Sequence, residues 1–296
     1  MTGFRGCGTA LVTPMRQDGS LDLAALRRLV DWQITEGIDF LVACGSTGEA
    51  QTLTPEERRA VVATVVEVAR GRVPVVAGAT DNDTSRAVAE TRTMADLGVD
   101  GILSAAPFYN KPTQGGLLRH FTAVAEASRV PVILYNVPGR TAVNVAPATI
   151  LELARHPRIV AVKEASGDLI QMMRIVRDRP DGFEVLSGDD PLTLPLIAAG
   201  GVGIISVISN EVPKLMAQLA RYCLEGDFAR ARVLHYQLLP LVDANFIETN
   251  PGPAKCALAM MGRVENVLRL PLVPVSEVSR SMIAGALRGA GIEVGS

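Results

Sequence analysis

Lysine is scarce in this chain. Of 29 Lys+Arg residues, the lysines are Lys111, Lys163, Lys214 and Lys255. Lys163 lies in Ile159-Val160-Ala161-Val162-Lys163-Glu164-Ala165, at the end of an apolar run. That run reads as a buried strand of a parallel sheet. Where arginine serves for most positive charge, a lysine at such a place calls for something a guanidinium cannot do. A desolvated amine can lose its proton and attack a carbonyl carbon, whereas a guanidinium stays charged. The implied chemistry is a Schiff base on Lys163. The competing reading is a strand-end lysine that lays its stem on apolar neighbours and sends its ammonium to solvent. The other candidate residues decide between the two.

Gly45-Ser46-Thr47-Gly48-Glu49 follows an apolar run at Phe40–Cys44. Two hydroxyls and several free backbone N–H groups in a glycine-rich turn suit a carboxylate. Two of the four tyrosines, Tyr109 and Tyr135, also stand at the ends of apolar runs. A phenol beside a developing imine can shuttle protons. Arg140 follows Pro138-Gly139 and is either a solvated loop residue or a bidentate clamp for a carboxylate. Ser187-Gly188-Asp189-Asp190 and Ile205-Ser206-Val207 end two further runs. Asp189-Asp190-Pro191 reads as a helix cap ahead of a proline, in preference to a metal or acid/base pair. One amine, two phenols, two hydroxyls and one guanidinium suit imine formation from a small keto acid, followed by carbon–carbon bond chemistry. The set does not suit hydride transfer, phosphoryl transfer or metal-assisted hydrolysis.

These residues share one end of a repeating pattern. Apolar runs recur at Thr9–Val12, Phe40–Cys44, Val73–Gly78, Gly101–Ala105, Val130–Tyr135, Ile159–Lys163, Phe183–Leu186 and Gly203–Val207. Amphipathic stretches such as Leu21–Glu36, Pro55–Arg70, Thr84–Leu97 and Gly116–Ala127 separate them. Strand–helix alternation means parallel strands with crossover helices, and eight repeats fit a closed (β/α)8 barrel. A doubly wound sheet is the alternative, and the first run lacks the G-x-G-x-x-G that would favour it. In a barrel the active site forms at the C-terminal ends of the strands, where the candidate residues fall. Thr54-Pro55-Glu56-Glu57 reads as a capping box with proline at the first helical position. Ala199-Gly200-Gly201-Val202-Gly203 precedes the eighth run and therefore belongs to the opposite rim, so a phosphate-bearing cofactor such as pyridoxal phosphate or flavin is disfavoured. Residues 1–225 are expected to form the barrel. Residues 226–296 read as helices alone, over Asp227–Asp243, Pro253–Met261 and Ser276–Ala290, in an extension packed on it.

Composition narrows the class. The net charge is −2, the pI is about 6.0 and aromatics are 4% of the chain. No basic stripe or base-stacking surface is present, which argues against nucleic acid. Cys7, Cys44, Cys223 and Cys256 form no C-x-x-C pair and read as reduced thiols of a cytosolic protein. His120, His156 and His235 are scattered, and no metal site is expected. The N-terminal residues lack the apolar core of a signal peptide. The stretch Leu196 to Ser209, broken by Gly200, Gly201 and Gly203, is too short to span a bilayer.

With these residues assembled, the chain resembles the dihydrodipicolinate synthase and N-acetylneuraminate lyase family over nearly its whole length. The most specific match is Tyr135-Asn136-Val137-Pro138-x-Arg140-Thr141. Gly45-Ser46-Thr47-Gly48-Glu49, Lys163-Glu164-Ala165-Ser166-Gly167 and Ser187-Gly188-Asp189-Asp190 support it. Arg140 favours the synthase branch, because the lyase branch usually lacks an arginine there. The resemblance implies condensation of pyruvate with L-aspartate 4-semialdehyde, the first committed step toward diaminopimelate and lysine, with no cofactor beyond the covalent imine on Lys163. It implies Tyr135 as proton donor and acceptor beside the imine. Thr47 and Tyr109 would complete the relay, Tyr109 from a neighbouring subunit of a homotetramer built from dimers. Ser46 and Thr47 would hold the pyruvate carboxylate, and Arg140 the semialdehyde carboxylate. Gly188 and the Ile205 carbonyl would line the pocket. The first relay hydroxyl is commonly threonine in the family and is Ser46 here. At positions where strongly lysine-inhibited members carry His, Glu and Tyr, this chain has Arg58, Arg86 and Phe108, with Asn82 retained, so lysine feedback is expected to be weak or absent. The alternatives are another pyruvate-dependent aldolase or dehydratase acting on a sugar acid, and a non-catalytic sensor on the same barrel.

Overall fold

The computed structural model describes residues 3–294. Eight strands form a closed barrel in chain order: β1 Gly6–Ala10, β2 Phe40–Ala43, β3 Val75–Gly78, β4 Gly101–Ala105, β5 Val132–Asn136, β6 Ile159–Glu164, β7 Glu184–Ser187 and β8 Gly203–Ser206. Every neighbouring pair is parallel, including β1 with β8. The strands are buried on both faces, which is why they read as continuous apolar runs rather than alternating ones. Alternate side chains fill the barrel: Ala10, Phe40, Val42, Val76, Leu103, Ile133, Ala161, Leu186 and Ile205 form its interior.

The sequence places seven strands to within two residues and misplaces the start of β1. That strand runs from Gly6 rather than Thr9, because glycine is required where apolarity would be sought. A Cβ on Gly8 would stand 2.2 Å from the Phe40 ring, so the space is already taken by an aromatic from β2.

Helices α1 Leu23–Thr35, α2 Pro55–Ala69, α3 Thr84–Ala95, α4 Gln114–Ala127, α5 Pro138–Thr141, α6 Pro147–Leu153, α7 Leu169–Asp178, α8 Thr193–Ala198 and α9 Pro213–Leu224 alternate with the strands. Their starts are capped locally. Thr54 and Glu57 form the reciprocal capping box that opens α2, and Asp22, Asp83, Thr113 and Asp168 cap α1, α3, α4 and α7. Helix α9 closes the circuit by packing on β1 and β8. Beyond it lie α10 Phe228–Asn245, α11 Gly252–Met260 and α12 Glu277–Gly289, with α12 packed on both α10 and α11. Among the described residues no helix is long and apolar enough to cross a membrane.

Candidate active site

The register of the barrel brings the lysine and the phenol together. Tyr135 pairs with Lys163 across β5 and β6, after a register irregularity at Val132/Ile133. Both side chains therefore point into the barrel at the same height. The Lys163 Nζ lies 4.3 Å from the Tyr135 ring centroid. Lys163 is 3% exposed, so its side chain does not run out to the protein surface as a snorkelling lysine would. Gly188, at the end of β7, makes room for it. A Cβ there would come within 2.9 Å of Lys163 Cε and 2.7 Å of Ala165 Cβ.

Lys163 opens into a cavity of about 150 Å³ walled by Ser46, Thr47, Tyr135, Arg140, Gly188 and Asn250, among others. A second cavity of about 240 Å³ lies beside it, lined in part by Gln51, Arg58, Thr80 and Phe108. Ser46, Tyr135, Val137 and Arg140 belong to both walls. Arg140 is held by α5, whose start is set by Pro138, and donates from Nη2 to the Asn250 main-chain oxygen at 3.1 Å.

The turn after β2 is locked from several sides. Gly78 admits the Cys44 carbonyl, which would stand 2.1 Å from a Cβ. Thr13 donates its hydroxyl to the Gly48 carbonyl at 2.7 Å. Glu49 adopts φ +53 in the left-handed region, and its fully buried carboxylate pairs with Lys255 of α11 at 2.5 Å. Lys255 also donates to the Val267 carbonyl, and burial lowers its pKa. Thr47, 2% exposed, accepts from Asn250 Nδ2 at 3.0 Å.

Two of the expected residues are not among those that line these two cavities. Tyr109 is 87% exposed at φ +72 and lines neither cavity of its own chain. The Ile205 side chain is fully buried in the barrel interior, and Val207 lines the Lys163 cavity. The carboxylate pair after β7 matches the expected cap only in part: Asp189 holds the N-cap position of a short 3-10 turn, Asp190–Leu192, that carries Pro191. Asp189 makes no side-chain cap and faces the Lys163 cavity, where burial raises its pKa against the opposing charge of Lys163. Asp190 is buried and accepts from Ser206 Oγ at 2.5 Å and Val207 N at 3.0 Å, pinning the end of β8. Burial pushes its pKa up to about 6.

Several supporting groups escape a reading of the sequence. Behind Lys163, Glu164 is buried and accepts from Asn136, Gln171 and the Ser166 N–H, with its pKa raised by burial. Asn250 and Phe246 reach the cavity from the segment between α10 and α11. An Asn-Pro pair signals a turn, and nothing local signals a wall of a site formed some two hundred residues earlier. Among the described residues no cluster of three or more His, Cys, Asp or Glu could hold a metal ion. The four cysteines are buried and unbridged.

Fold and site together define a (β/α)8 barrel with a buried amine beside a phenol at the C-terminal ends of the strands. The chain belongs to the dihydrodipicolinate synthetase family, whose model matches residues 3–290. It is 56% identical over 290 residues to a 4-hydroxy-tetrahydrodipicolinate synthase of Koribacter versatilis, covering 98% of this chain and 97% of that protein. Among solved structures, a dihydrodipicolinate synthase from Aquifex aeolicus is 41% identical with a TM-score of 0.96, over 99% of this chain and 100% of the other. A chloride-inhibited dihydrodipicolinate synthase from Acinetobacter baumannii, complexed with pyruvate, is 40% identical with a TM-score of 0.97, over 98% and 100%.

Proposed function

We propose that the protein condenses pyruvate with L-aspartate 4-semialdehyde to 4-hydroxy-tetrahydrodipicolinate, the first committed step of lysine biosynthesis through diaminopimelate. The observation that carries this reading is the buried Lys163 amine beside the Tyr135 phenol, in one small cavity with two hydroxyls and a guanidinium. The Lys163 amine attacks the pyruvate C2 carbonyl, and water leaves after proton transfer through Tyr135, giving the imine. Removal of a methyl proton gives the enamine, whose carbon bonds to the semialdehyde carbonyl carbon as that oxygen takes a proton. The substrate's own amine then attacks the imine carbon, closes the ring and returns Lys163 as a free amine. Ser46 and Thr47 receive the pyruvate carboxylate through their hydroxyls and the N–H groups of their turn. Arg140 receives the semialdehyde carboxylate. Gly188 leaves the stem of Lys163 its space.

Thr47 and Tyr109 complete the proton relay in this proposal, Tyr109 acting in a neighbouring copy. Its exposure outside its own cavity supports that assignment, within a homotetramer arranged as a dimer of dimers. A cytoplasmic location accords with the unbridged thiols. Arg140 favours the semialdehyde over a sugar acid, because it sets one carboxylate clamp on the wall shared by the two cavities. Steady-state kinetics of Arg140→Ala test this. The semialdehyde KM should rise far more than that for pyruvate, and an equal rise in both would remove Arg140 from the acceptor site.

A further inference from the structure

Asn250 is one point where the C-terminal extension meets the candidate site. It is 4% exposed and forms part of the wall of the Lys163 cavity. Its Nδ2 donates to Thr47 Oγ1 at 3.0 Å, and its main-chain oxygen accepts from Arg140 Nη2 at 3.1 Å. One residue thus touches both the hydroxyl turn and the guanidinium. A hydroxyl has a single proton. Once its oxygen accepts from an amide, that proton is free to be donated elsewhere. Thr47 lines the cavity, which is where the proton can go.

We propose that Asn250 is a positioning residue: its side-chain amide fixes Thr47 as a hydrogen-bond donor into the cavity, toward the carboxylate of bound pyruvate, while its carbonyl holds Arg140 in place. This rests on the keto-acid reading above and deepens it. It also makes the extension part of the active site. The bond joins the turn after β2 to the extension across 203 residues of sequence.

Asn250→Asp keeps the size of the side chain and the main-chain carbonyl that meets Arg140. It replaces the amide donor with an acceptor, so Thr47 would turn its proton outward to the introduced carboxylate and offer pyruvate a lone pair. The titratable groups around that carboxylate, Lys163, Asp189, Tyr135 and Arg140, are common to both proteins, so the ratio of variant to wild type isolates the introduced group.

The experiment is borohydride trapping of pyruvate on full-length protein, with the half-saturating pyruvate concentration measured at about pH 8 and about pH 5.5. Wild-type trapping on Lys163 reports the keto-acid reading itself, and the ratio reports Asn250. For Asn250→Asp the expected rise is about tenfold or more at both pH values, because an aspartate is ionised at each. Asn250→Ala, which only frees the hydroxyl to rotate, should show a smaller rise that is the same at both pH values. A ratio near one for either variant, or a rise in Asn250→Asp no larger than in Asn250→Ala, would overturn the proposal.

Discussion

Lys163 and Tyr135 face each other across one register of the barrel, and their substitutions should therefore fail in different ways. Tyr135→Phe keeps the ring and removes the proton carrier, so kcat should fall by about 10²–10⁴ while pyruvate can still be trapped slowly on Lys163. Intact trapping at the wild-type rate would remove Tyr135 from the proton transfers. Gly188→Ala should act on Lys163 through space alone. A methyl within 2.9 Å of the lysine stem must displace it, so trapping should drop sharply while circular dichroism stays unchanged. At this scale the sequence was informative wherever a residue's type was odd for its place, as with a lysine ending an apolar strand or an arginine after Pro-Gly. It was uninformative wherever the meaning lay in a distant partner. Asn250, Glu49 and Lys255 look ordinary until the fold joins them, and Asp190 looks like a cap until β8 arrives beside it.

The extension from α10 to α12 acts as a brace on the turn that carries Ser46 and Thr47. Lys255 of α11 pairs with Glu49 out of solvent, so Lys255→Met should leave a buried carboxylate without its partner and cost about 3–5 kcal/mol in urea unfolding. A loss under about 1 kcal/mol would mean that the pair is solvated. Arg269 makes the second brace, donating to both Glu57 oxygens of α2 and to the Thr52 and Gly19 carbonyls. Its guanidinium pulls the Glu57 pKa from 4.5 down to about 2. A carboxyl with a depressed folded-state pKa stabilises fully above its unfolded value and loses that contribution as pH falls through the folded one. The stability gap between wild type and Arg269→Met should therefore be widest above about pH 4.5 and narrow toward pH 2. A gap independent of pH would locate the effect of Arg269 in its carbonyl contacts instead. The helices of the extension were legible from their periodicity, but their function as a brace was not, because it depends on buried charges matched across the fold.

For the molecule as a whole, eight buried parallel strands were legible because strands covered on both faces leave uninterrupted apolar runs, and the crossover helices carry strong caps. The glycine-rich start of β1 was not, since packing against Phe40 at Gly8 and against Asp39 at Gly6 required residues with no side chain to read. Assembly and regulation belong to this scale. Arg58 is paired with Glu90 at 3.3 Å and lines the second cavity with Phe108, while Arg86 is exposed and paired with Asp81 at 3.0 Å. Two guanidiniums in this region disfavour an incoming ammonium, although their own carboxylate partners offset part of that field. Lysine should inhibit weakly or not at all, and a low-micromolar inhibition constant would contradict this. The central claim is that Lys163 is the nucleophile, and borohydride reduction in the presence of pyruvate tests it most directly. Peptide mass spectrometry should find the pyruvyl adduct on Lys163 and on none of Lys111, Lys214 or Lys255. Folded protein that gains no adduct at saturating pyruvate, or gains it on another lysine, would contradict the account.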